Sequence, residues 1–463
     1  MRRLNIFMVF LIVAYMVSIW NFILMPKYLI TLGLKGLLIS LVLISLALVL
    51  IVLEMESTKR TKYRMYEFFV KSSRTPGVAL TLILFLTVVL TVTAYYSSMA
   101  LVEALNLARE YIILFGILTL LISALLLLMA KGKTLEFISI VSVLFIIFFL
   151  AAVIFIRNEA AAQITNESSI IYLKSTVESL KSFNHPITFS SILQILLITF
   201  TSLGMGVGFY YILGSFMPEE LNTKKIIVGV VILQILLSFA AALAVAYSLG
   251  FAHQSYRASF TNLSEAPEKS LNLYKPFNAL LKYTTNATAP VRDSIRAVYT
   301  IPLVLRMGGV EGASEIVLLL MLSIYFAGLT TIILLIEMGG QAASEVLQLG
   351  RRRGIFAVTI ISILLLSLMH VEPLKAILLE IPFSIILLMA GIEALPIITT
   401  SKAFGEGTKN LAGVIGVMLF LLGLLELYFI FTRGALYTKL GAIVGLIFLI
   451  PVVFNSFLLK TRR

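Results

Sequence analysis

Long apolar runs recur along the whole chain, separated by mostly short polar stretches. Twelve of them reach the roughly 17 to 25 residues that a helix needs to cross a lipid bilayer. They lie near residues 4–25, 36–55, 77–102, 110–130, 134–156, 188–215, 226–250, 313–338, 354–370, 374–398, 410–432 and 435–459. Helices satisfy their own backbone hydrogen bonds, which lipid cannot do. The pattern therefore predicts an all-α integral membrane protein with about 12 transmembrane helices.

Composition excludes the other broad classes of protein. Of the 463 residues, 60% are apolar and 13% are charged, whereas soluble domains average about 45–50% and about 25%. The chain has no cysteine, and its three histidines (His185, His253 and His370) are far apart. We therefore expect neither a disulfide framework nor a histidine metal centre. No spacing resembles a nucleophile–base pair, so we do not expect an enzyme.

The position of the charges indicates how the chain lies in the membrane. The net charge of +13 is concentrated in short loops, for example at 59–74 and Arg351–Arg353. Basic loops stay on the cytoplasmic side, which predicts a multi-pass protein of the cell membrane with both termini inside. Two long loops, 157–187 and 251–312, would then lie outside. The expected partners are membrane lipid and a small solute rather than nucleic acid.

Polar side chains within the apolar runs are the candidate functional residues, because they are costly in a membrane. They are Asn21, Glu54, Gln194, Ser202, Gln234, Thr330, Thr331, Glu337, Glu393 and Glu426. The sixth run also contains three alternating glycines within Ser202–Gly208, which either permit tight packing or break the helix. The eighth run contains adjacent hydroxyls at Thr330 and Thr331, whose oxygens suit a small, hard cation.

Several of these residues resemble the neurotransmitter:sodium symporter family, which includes bacterial amino-acid transporters. The Phe326–Thr331 segment is similar to the family's Phe-Ala-Gly-Leu-Thr-Ser in the eighth span and is the most specific match. The other similar segments, in chain order, are Ile19–Pro26 in the first span, Leu53–Met55 in the second, Tyr95–Tyr96 in the third, Ser202–Gly206 in the sixth, and Ile301–Pro302 before Gly308–Gly309 in the outer lid.

The resemblance implies a domain organisation and an activity. Residues 1–156 and 188–398 would form two inverted five-helix repeats, joined by an extracellular loop at 157–187. The second repeat would contain the lid, 251–312, and residues 399–463 would add two helices and a cytoplasmic tail. The helices of spans 1 and 6 would be discontinuous. The implied activity is alternating-access symport with sodium as coupling ion and no other cofactor, and a homo-oligomer is left open.

The resemblance also implies site residues. One sodium site would use the carbonyls of Ala14, Val17 and Ala327 and the hydroxyls of Thr330 and Thr331. A second sodium site would use Asn21, Thr201 and Gln234. The solute would contact Ser18, Trp20, Asn21, Tyr96, Ser202, Gly204 and Gly206. A cytoplasmic gate would pair Glu345 with Arg2 or Arg3.

The chain departs from the family pattern at positions that matter for function. Ser18-Ile19-Trp20 stands where the family has Gly-x-Gly, and Leu24 replaces the arginine of the outer gate, whose acidic partner aligns with Leu378 although Glu380 is near. Three functions therefore stay open. They are sodium-coupled symport of a small organic solute such as an amino acid, a transporter-like scaffold or receptor without flux, and proton-coupled transport with Glu54 or Glu393 as carrier.

Overall fold

Helices form nearly all of the chain. The computed structural model describes residues 2–129, 133–183, 185–261, 267–400 and 403–460, and within these ranges it contains no strand. The predicted all-α fold class is therefore confirmed.

The helices follow one another with short connections. They are α1 (Arg2–Met16), α2 (Ile19–Ile23), α3 (Met25–Thr61), α4 (Met65–Glu67), α5 (Pro76–Ala104), α6 (Ile112–Met129), α7 (Thr134–Phe155), α8 (Glu167–Ser179), α9 (Phe189–Ser202), α10 (Phe209–Phe216), α11 (Thr223–Thr261), α12 (Pro267–Thr285), α13 (Val291–Val298), α14 (Ile301–Met307), α15 (Ala313–Val346), α16 (Arg351–Leu368), α17 (Glu372–Glu393), α18 (Leu395–Thr399), α19 (Glu406–Arg433), α20 (Leu436–Ile447), α21 (Ile450–Val453) and α22 (Asn455–Lys460).

Nine helical segments in the described ranges are long and apolar enough to cross a membrane. The other three predicted spans are also helical, but each has a feature that shortens its apolar run. Span 1 is divided into α1 and α2, and span 6 is divided into α9 and α10. Span 9 is α16, whose first turn consists of Arg351–Arg353. The two divided spans are five spans apart, which is the spacing that two five-helix repeats would have.

The two interruptions have different local causes. In span 6 the glycines at 204, 206 and 208 adopt φ angles of 66°, 86° and 76°. Residues with a side chain rarely adopt such angles, so the glycine run breaks the helix rather than only permitting close packing. In span 1 no glycine is present, and Ser18 adopts an extended conformation instead (φ −82°, ψ 177°). The break in span 1 therefore does not depend on the glycines that the family has there.

Helix α15 lies at the centre of the bundle. It packs most extensively against α5 and α7, and also contacts α1 and α2. A close approach at Gly328 accounts for part of this packing, since a β-carbon there would lie 1.8 Å from the Ser97 hydroxyl oxygen. The residues Thr330 and Thr331 are consequently buried in the protein interior, at 0% and 4% exposure.

Helix α3 is kinked at Gly33, where it packs against the end of α8 and the loop that follows α8. Gly33 has φ 57° and ψ −141° inside α3, and the next amide, that of Leu34, donates to the Ser182 carbonyl at 3.1 Å. A β-carbon at Gly33 would lie 2.3 Å from the carbonyl oxygens of both Ser179 and Ser182. The loop after α8 therefore fits only against glycine at this position.

We expect Gly33→Ala to destabilise the protein strongly. The backbone conformation alone costs a non-glycine residue about 1–3 kcal/mol, and the contact with two carbonyl oxygens adds to that cost. Thermal unfolding of the purified protein in detergent, followed by circular dichroism, measures the effect.

The matched control is Gly229→Ala in α11. No atom lies within 4 Å of a β-carbon built at Gly229, so this change should raise helix stability by up to about 1 kcal/mol. Equal unfolding midpoints for the two variants would contradict the role given to Gly33.

Candidate cation and solute site

Four oxygen atoms converge where the broken first span meets α15. The hydroxyls of Thr330 and Thr331 lie 3.0 and 2.9 Å from the Ala327 carbonyl in their own helix. Each hydroxyl also lies 3.4 Å from the carbonyl of Ala14 in α1. The Ala14 carbonyl is available to another helix because the α1 ladder ends one residue earlier, with the bond from the Val17 amide to the Val13 carbonyl at 2.8 Å, and the backbone becomes extended at Ser18.

The oxygen cluster has more acceptor capacity than donor capacity. Each hydroxyl carries one proton, while the carbonyls of Ala14 and Ala327 carry none. Only two protons are therefore available for hydrogen bonds among four oxygens, and several lone pairs face one another in the protein interior. Hard neutral oxygens of this kind are the ligands that alkali and alkaline-earth cations prefer. The residues present fit a small cation.

A small cavity adjoins the oxygen cluster. Its volume is about 30 Å³, enough for a water or a small functional group. We call it the central cavity, and it is lined by Tyr15, Ser18, Trp20, Val89, Val92, Thr93, Thr201, Gly204, Met205, Val207, Thr331, Leu335, Pro382, Phe383 and Ile386. No charged side chain of the described residues belongs to this lining.

Three hydroxyls in the lining have no hydrogen-bond partner within the described part of the chain. They belong to Ser18, Thr93 and Thr201, and all three oxygens are buried. A buried hydroxyl without a partner costs free energy, on the order of 1–3 kcal/mol. The central cavity therefore suits a molecule with polar groups.

Aromatic rings close the central cavity on two sides. Trp20 packs edge-on against Tyr96 and Phe383, with ring centroids 5.7 and 5.5 Å away. On the α1 side, Tyr15 stacks on Phe209 at 3.4 Å and donates its hydroxyl proton to the Gly204 carbonyl at 2.7 Å. These rings narrow the cavity, and a larger occupant requires Trp20 or Phe383 to move.

The structure brings only part of the predicted solute set to the cavity. Ser18, Trp20 and Gly204 line it, whereas Tyr96 lies behind Trp20 and stacks on Tyr299. The other three predicted contacts bond elsewhere: Asn21 contacts α11, the Ser202 carbonyl accepts from Gln234 at 3.5 Å, and the Gly206 amide donates to Glu393.

The residues predicted for a second sodium site are partly together. Asn21 donates to the Gln234 carbonyl at 3.3 Å and accepts from the Ser238 hydroxyl at 2.9 Å. The side-chain carbonyl of Gln234 is buried and has no partner within the described ranges, and the same holds for the Thr201 hydroxyl. Thr201, however, faces the central cavity. Sequence reasoning missed Ser238, which is an ordinary serine one turn after Gln234.

Glu393 braces the broken sixth span. Its carboxylate accepts from the amide of Gly208 at 2.7 Å and from that of Gly206, while its backbone carbonyl accepts from the Tyr211 hydroxyl at 2.7 Å. Because the helix is broken, these amides have no acceptor in their own helix, and the carboxylate of Glu393 accepts from them instead. Glu54, in contrast, has two buried oxygens without a partner in the described ranges.

The predicted cytoplasmic gate has a different partner among the described side chains. Glu345 lies 3.7 Å from the guanidinium of Arg64 and accepts from the Tyr66 amide at 3.3 Å. The side chains of Arg2 and Arg3 lie outside what the structure describes, so their pairing with Glu345 stays a prediction.

A buried lysine near the outer gate position was missed by sequence reasoning. Lys27 lies three residues after Leu24 and is 1% exposed. Its ammonium donates to the Ala289 carbonyl at 2.7 Å and to the Ser294 hydroxyl at 2.8 Å. The lysine ties α3 to α13 of the predicted lid. The signal in the sequence was a basic residue directly after the Ile19–Pro26 segment. The family pattern ends at Pro26 and does not include this residue.

The fold is shared with a solved structure. The crystal structure of MhsT in complex with L-phenylalanine matches this chain with a TM-score of 0.55, covering 98% of each chain at 14% sequence identity. No family model and no curated protein matches the sequence. At this identity the likeness concerns the fold, which by itself does not define function. The chain is an all-α, multi-pass membrane protein.

We expect Glu393→Gln to loosen the broken sixth span. The amide side chain keeps one acceptor oxygen, so either the Gly206 or the Gly208 amide loses its partner, at a cost of about 1–3 kcal/mol. Hydrogen exchange of the peptide covering 203–210 should become faster, and the unfolding midpoint should fall. Glu406→Gln, at an exposed position in α19, is the control and should change neither. Unchanged exchange in the Glu393 variant would contradict the bracing role.

Proposed function

We propose that this chain is a sodium-coupled symporter, which carries a small organic solute by alternating access. The observation that carries the proposal is the buried cluster of four oxygens from α1 and α15 beside the central cavity. A cluster of this kind joins a discontinuous helix to a continuous one, which is how secondary transporters couple an ion to a change of shape.

Sodium would be held by the hydroxyls of Thr330 and Thr331 and the carbonyls of Ala14, Val17 and Ala327. A cation among these oxygens holds α1 against α15, since each helix supplies part of the ligand set. A ligand favours the conformation for which it has the higher affinity. Sodium would therefore favour the conformation in which α1 and α15 touch, and its release would free α1 to move.

An amino acid or a related compound is the solute that we favour. The three unpaired hydroxyls of the central cavity support a polar solute, and the structural neighbour MhsT was crystallised with L-phenylalanine. The ends of the broken helices carry partial charges that suit a zwitterion without charged side chains in the cavity. Trp20 and Phe383 would have to move to admit the solute.

The proposal also covers the family of the chain, its membrane and the orientation of its termini. We assign the chain to the neurotransmitter:sodium symporter family as a divergent member, acting in the cell membrane with both termini in the cytoplasm. The fold-level likeness to MhsT and the basic loops support this assignment.

The discontinuity of span 1 favours transport over a scaffold without flux. A scaffold would be expected to keep a continuous first helix around Trp20, whereas α1 ends at Met16 and α2 begins at Ile19. The backbone groups that a transporter uses are therefore available despite the missing glycines.

Proton coupling is a second candidate, and the unpaired carboxyl of Glu54 is the observation that favours it. Glu54 interacts electrostatically with Glu393, and both act on Tyr210 and Tyr211. Two neighbouring buried carboxyls resist being ionised together. Uptake into proteoliposomes driven by a pH gradient without sodium would favour this candidate over sodium coupling.

We expect Thr330→Val and Thr331→Val each to reduce sodium-driven uptake severely. Each change removes one of the proposed ligands while keeping the shape of the side chain, and a lost interaction of about 1.4 kcal/mol weakens apparent sodium affinity tenfold. The assay is counterflow of labelled amino acids in proteoliposomes, with sodium titrated against potassium.

Thr359→Val is the matched control for both variants. Thr359 is buried in α16 and its hydroxyl bonds to the Ile355 carbonyl of its own helix at 2.8 Å. Its loss should leave the sodium dependence unchanged. Wild-type sodium dependence in both the Thr330 and Thr331 variants would overturn the sodium site.

A further inference from the structure

Tyr15 lies at the centre of the site, although the sequence did not predict a role for it. It is 3% exposed, belongs to the last turn of α1 and lines the central cavity. Its neighbour Ala14 supplies a carbonyl to the oxygen cluster. A phenol ring at this position occupies space that a solute would otherwise have.

Two contacts hold the Tyr15 ring against the broken sixth span. Its hydroxyl donates to the Gly204 carbonyl at 2.7 Å, and its ring lies parallel to that of Phe209, with the centroids 3.4 Å apart. The fit beside the break is tight, because a β-carbon built at Gly204 would lie 2.7 Å from the Tyr15 hydroxyl oxygen. Moving Tyr15 away would leave the Gly204 carbonyl without this donor, which costs free energy inside a protein. Tyr15 is therefore a fixed wall of the central cavity.

The opposite wall of the central cavity is held less firmly. Trp20 and Phe383 meet edge to face, with ring centroids 5.5 Å apart, and a phenylalanine side chain has no group that forms an ordinary hydrogen bond. These two rings can change rotamer to admit a solute, whereas Tyr15 would lose its hydrogen bond by doing so. The size of the solute is therefore limited on the side of Tyr15.

The space that remains beside Tyr15 is small. The central cavity has a volume of about 30 Å³, which is room for about two water molecules. A phenyl ring needs several times that space, since a cavity that binds benzene has a volume of about 150 Å³. Movement of Trp20 and Phe383 has to supply the difference for any amino acid, and glycine and L-alanine require the smallest movement.

The polar groups of the lining narrow the solute further. The hydroxyls of Ser18, Thr93 and Thr201 are buried without a partner in the described part of the chain. A hydroxyl both donates and accepts, so this set can bond to an ammonium group and to a carboxylate. Among the described residues, no charged side chain in the lining balances a solute with a net charge, and burying an unbalanced charge is costly. The lining therefore favours a small zwitterion.

We propose that Tyr15 determines the specificity of the central cavity and restricts its solute to amino acids with a side chain no larger than a methyl group. An aromatic amino acid, such as the L-phenylalanine in the crystal structure of MhsT, is excluded by the Tyr15 ring. This inference rests on the proposed function, because it takes the central cavity as the place where the solute binds.

Calorimetric titration of the purified protein in lipid nanodiscs tests the size limit. The buffer contains sodium, and the probes are glycine, L-alanine and L-phenylalanine. We expect glycine or L-alanine to bind to the wild type at least about tenfold more tightly than L-phenylalanine does. Binding of L-phenylalanine that is as tight as that of the two small amino acids would overturn the size limit, and so would the absence of binding by all three probes.

Substitutions at Tyr15 test whether this residue sets the limit. Tyr15→Ala should raise the affinity for L-phenylalanine relative to glycine at least about tenfold, because the space left by the phenol ring admits a phenyl ring. Tyr15→Leu is the second variant in case the first does not fold. Tyr15→Phe keeps the ring and should keep the wild-type preference for small amino acids.

Tyr283→Ala is the matched control. Tyr283 is also buried, and its hydroxyl donates to a backbone carbonyl, that of Ile23, at 2.8 Å. It does not line the central cavity, so its loss should leave the preference between glycine and L-phenylalanine unchanged. The same unchanged preference in Tyr15→Ala or Tyr15→Leu would overturn the proposal and leave Tyr15 with a role in the fold only.

Uptake into proteoliposomes distinguishes a failure of the size limit from a failure of the proposed function. Sodium-driven uptake of L-phenylalanine by the wild type, as fast as that of glycine, would overturn the size limit and leave symport standing. A preference for small amino acids that depends on Tyr15, without uptake of any solute in a sodium gradient, would support the role of Tyr15 and overturn symport.

Discussion

The carbonyl of Ala14 accepts no hydrogen bond from the Ser18 amide, and the organisation of the site depends on this carbonyl. In a continuous helix this oxygen would accept from the amide of Ser18, but the ladder ends with the bond between Val17 and Val13, before the extended backbone of Ser18. The oxygen faces the hydroxyls of Thr330 and Thr331 instead. Lipid could not solvate a free carbonyl, so the break can exist only where another helix supplies polar groups. Helix α15, buried at the centre of the bundle, supplies them.

At the second break, in span 6, the freed backbone groups have different hydrogen-bond partners. The amides freed at Gly206 and Gly208 are bonded by the carboxylate of Glu393 on α17. The carbonyl of Gly204 accepts from Tyr15 on α1, which connects one broken span to the other. At the two breaks, hydroxyl groups thus donate to the unpaired carbonyl oxygens, and a carboxylate accepts from the unpaired amides. The two interrupted spans enclose a cavity whose polar groups are neutral, while the charged groups are held at its periphery.

The sequence predicted the all-α fold class and helices in all twelve spans. From the residues alone, the glycines of span 6 allowed either tight packing or a break, and the family resemblance implied the break. The family resemblance implied a sodium site that includes Ala14, Thr330 and Thr331, because a resemblance carries distant contacts along with local motifs. The structure brings these three residues together, and the sodium site itself stays a prediction. The sequence did not predict that Trp20 would pack against Phe383 beside the cavity, or that Lys27 would bond to Ala289 and Ser294. Each of these depends on which helices become neighbours, and the hydropathy of a single helix contains no information on its neighbours. The role of Glu393 was left between brace and proton carrier for the same reason.

The most direct test is a pair of high-resolution cryo-EM maps of the protein in nanodiscs, one in sodium and one in potassium. The account predicts, in sodium only, a density among the oxygens of Ala14, Ala327, Thr330 and Thr331, with α1 in contact with α15. In potassium, that density should be absent and α1 should move away from α15. Maps in which the two helices are equally close in both salts, with both hydroxyls bonded only within α15 and no density between them, would contradict it.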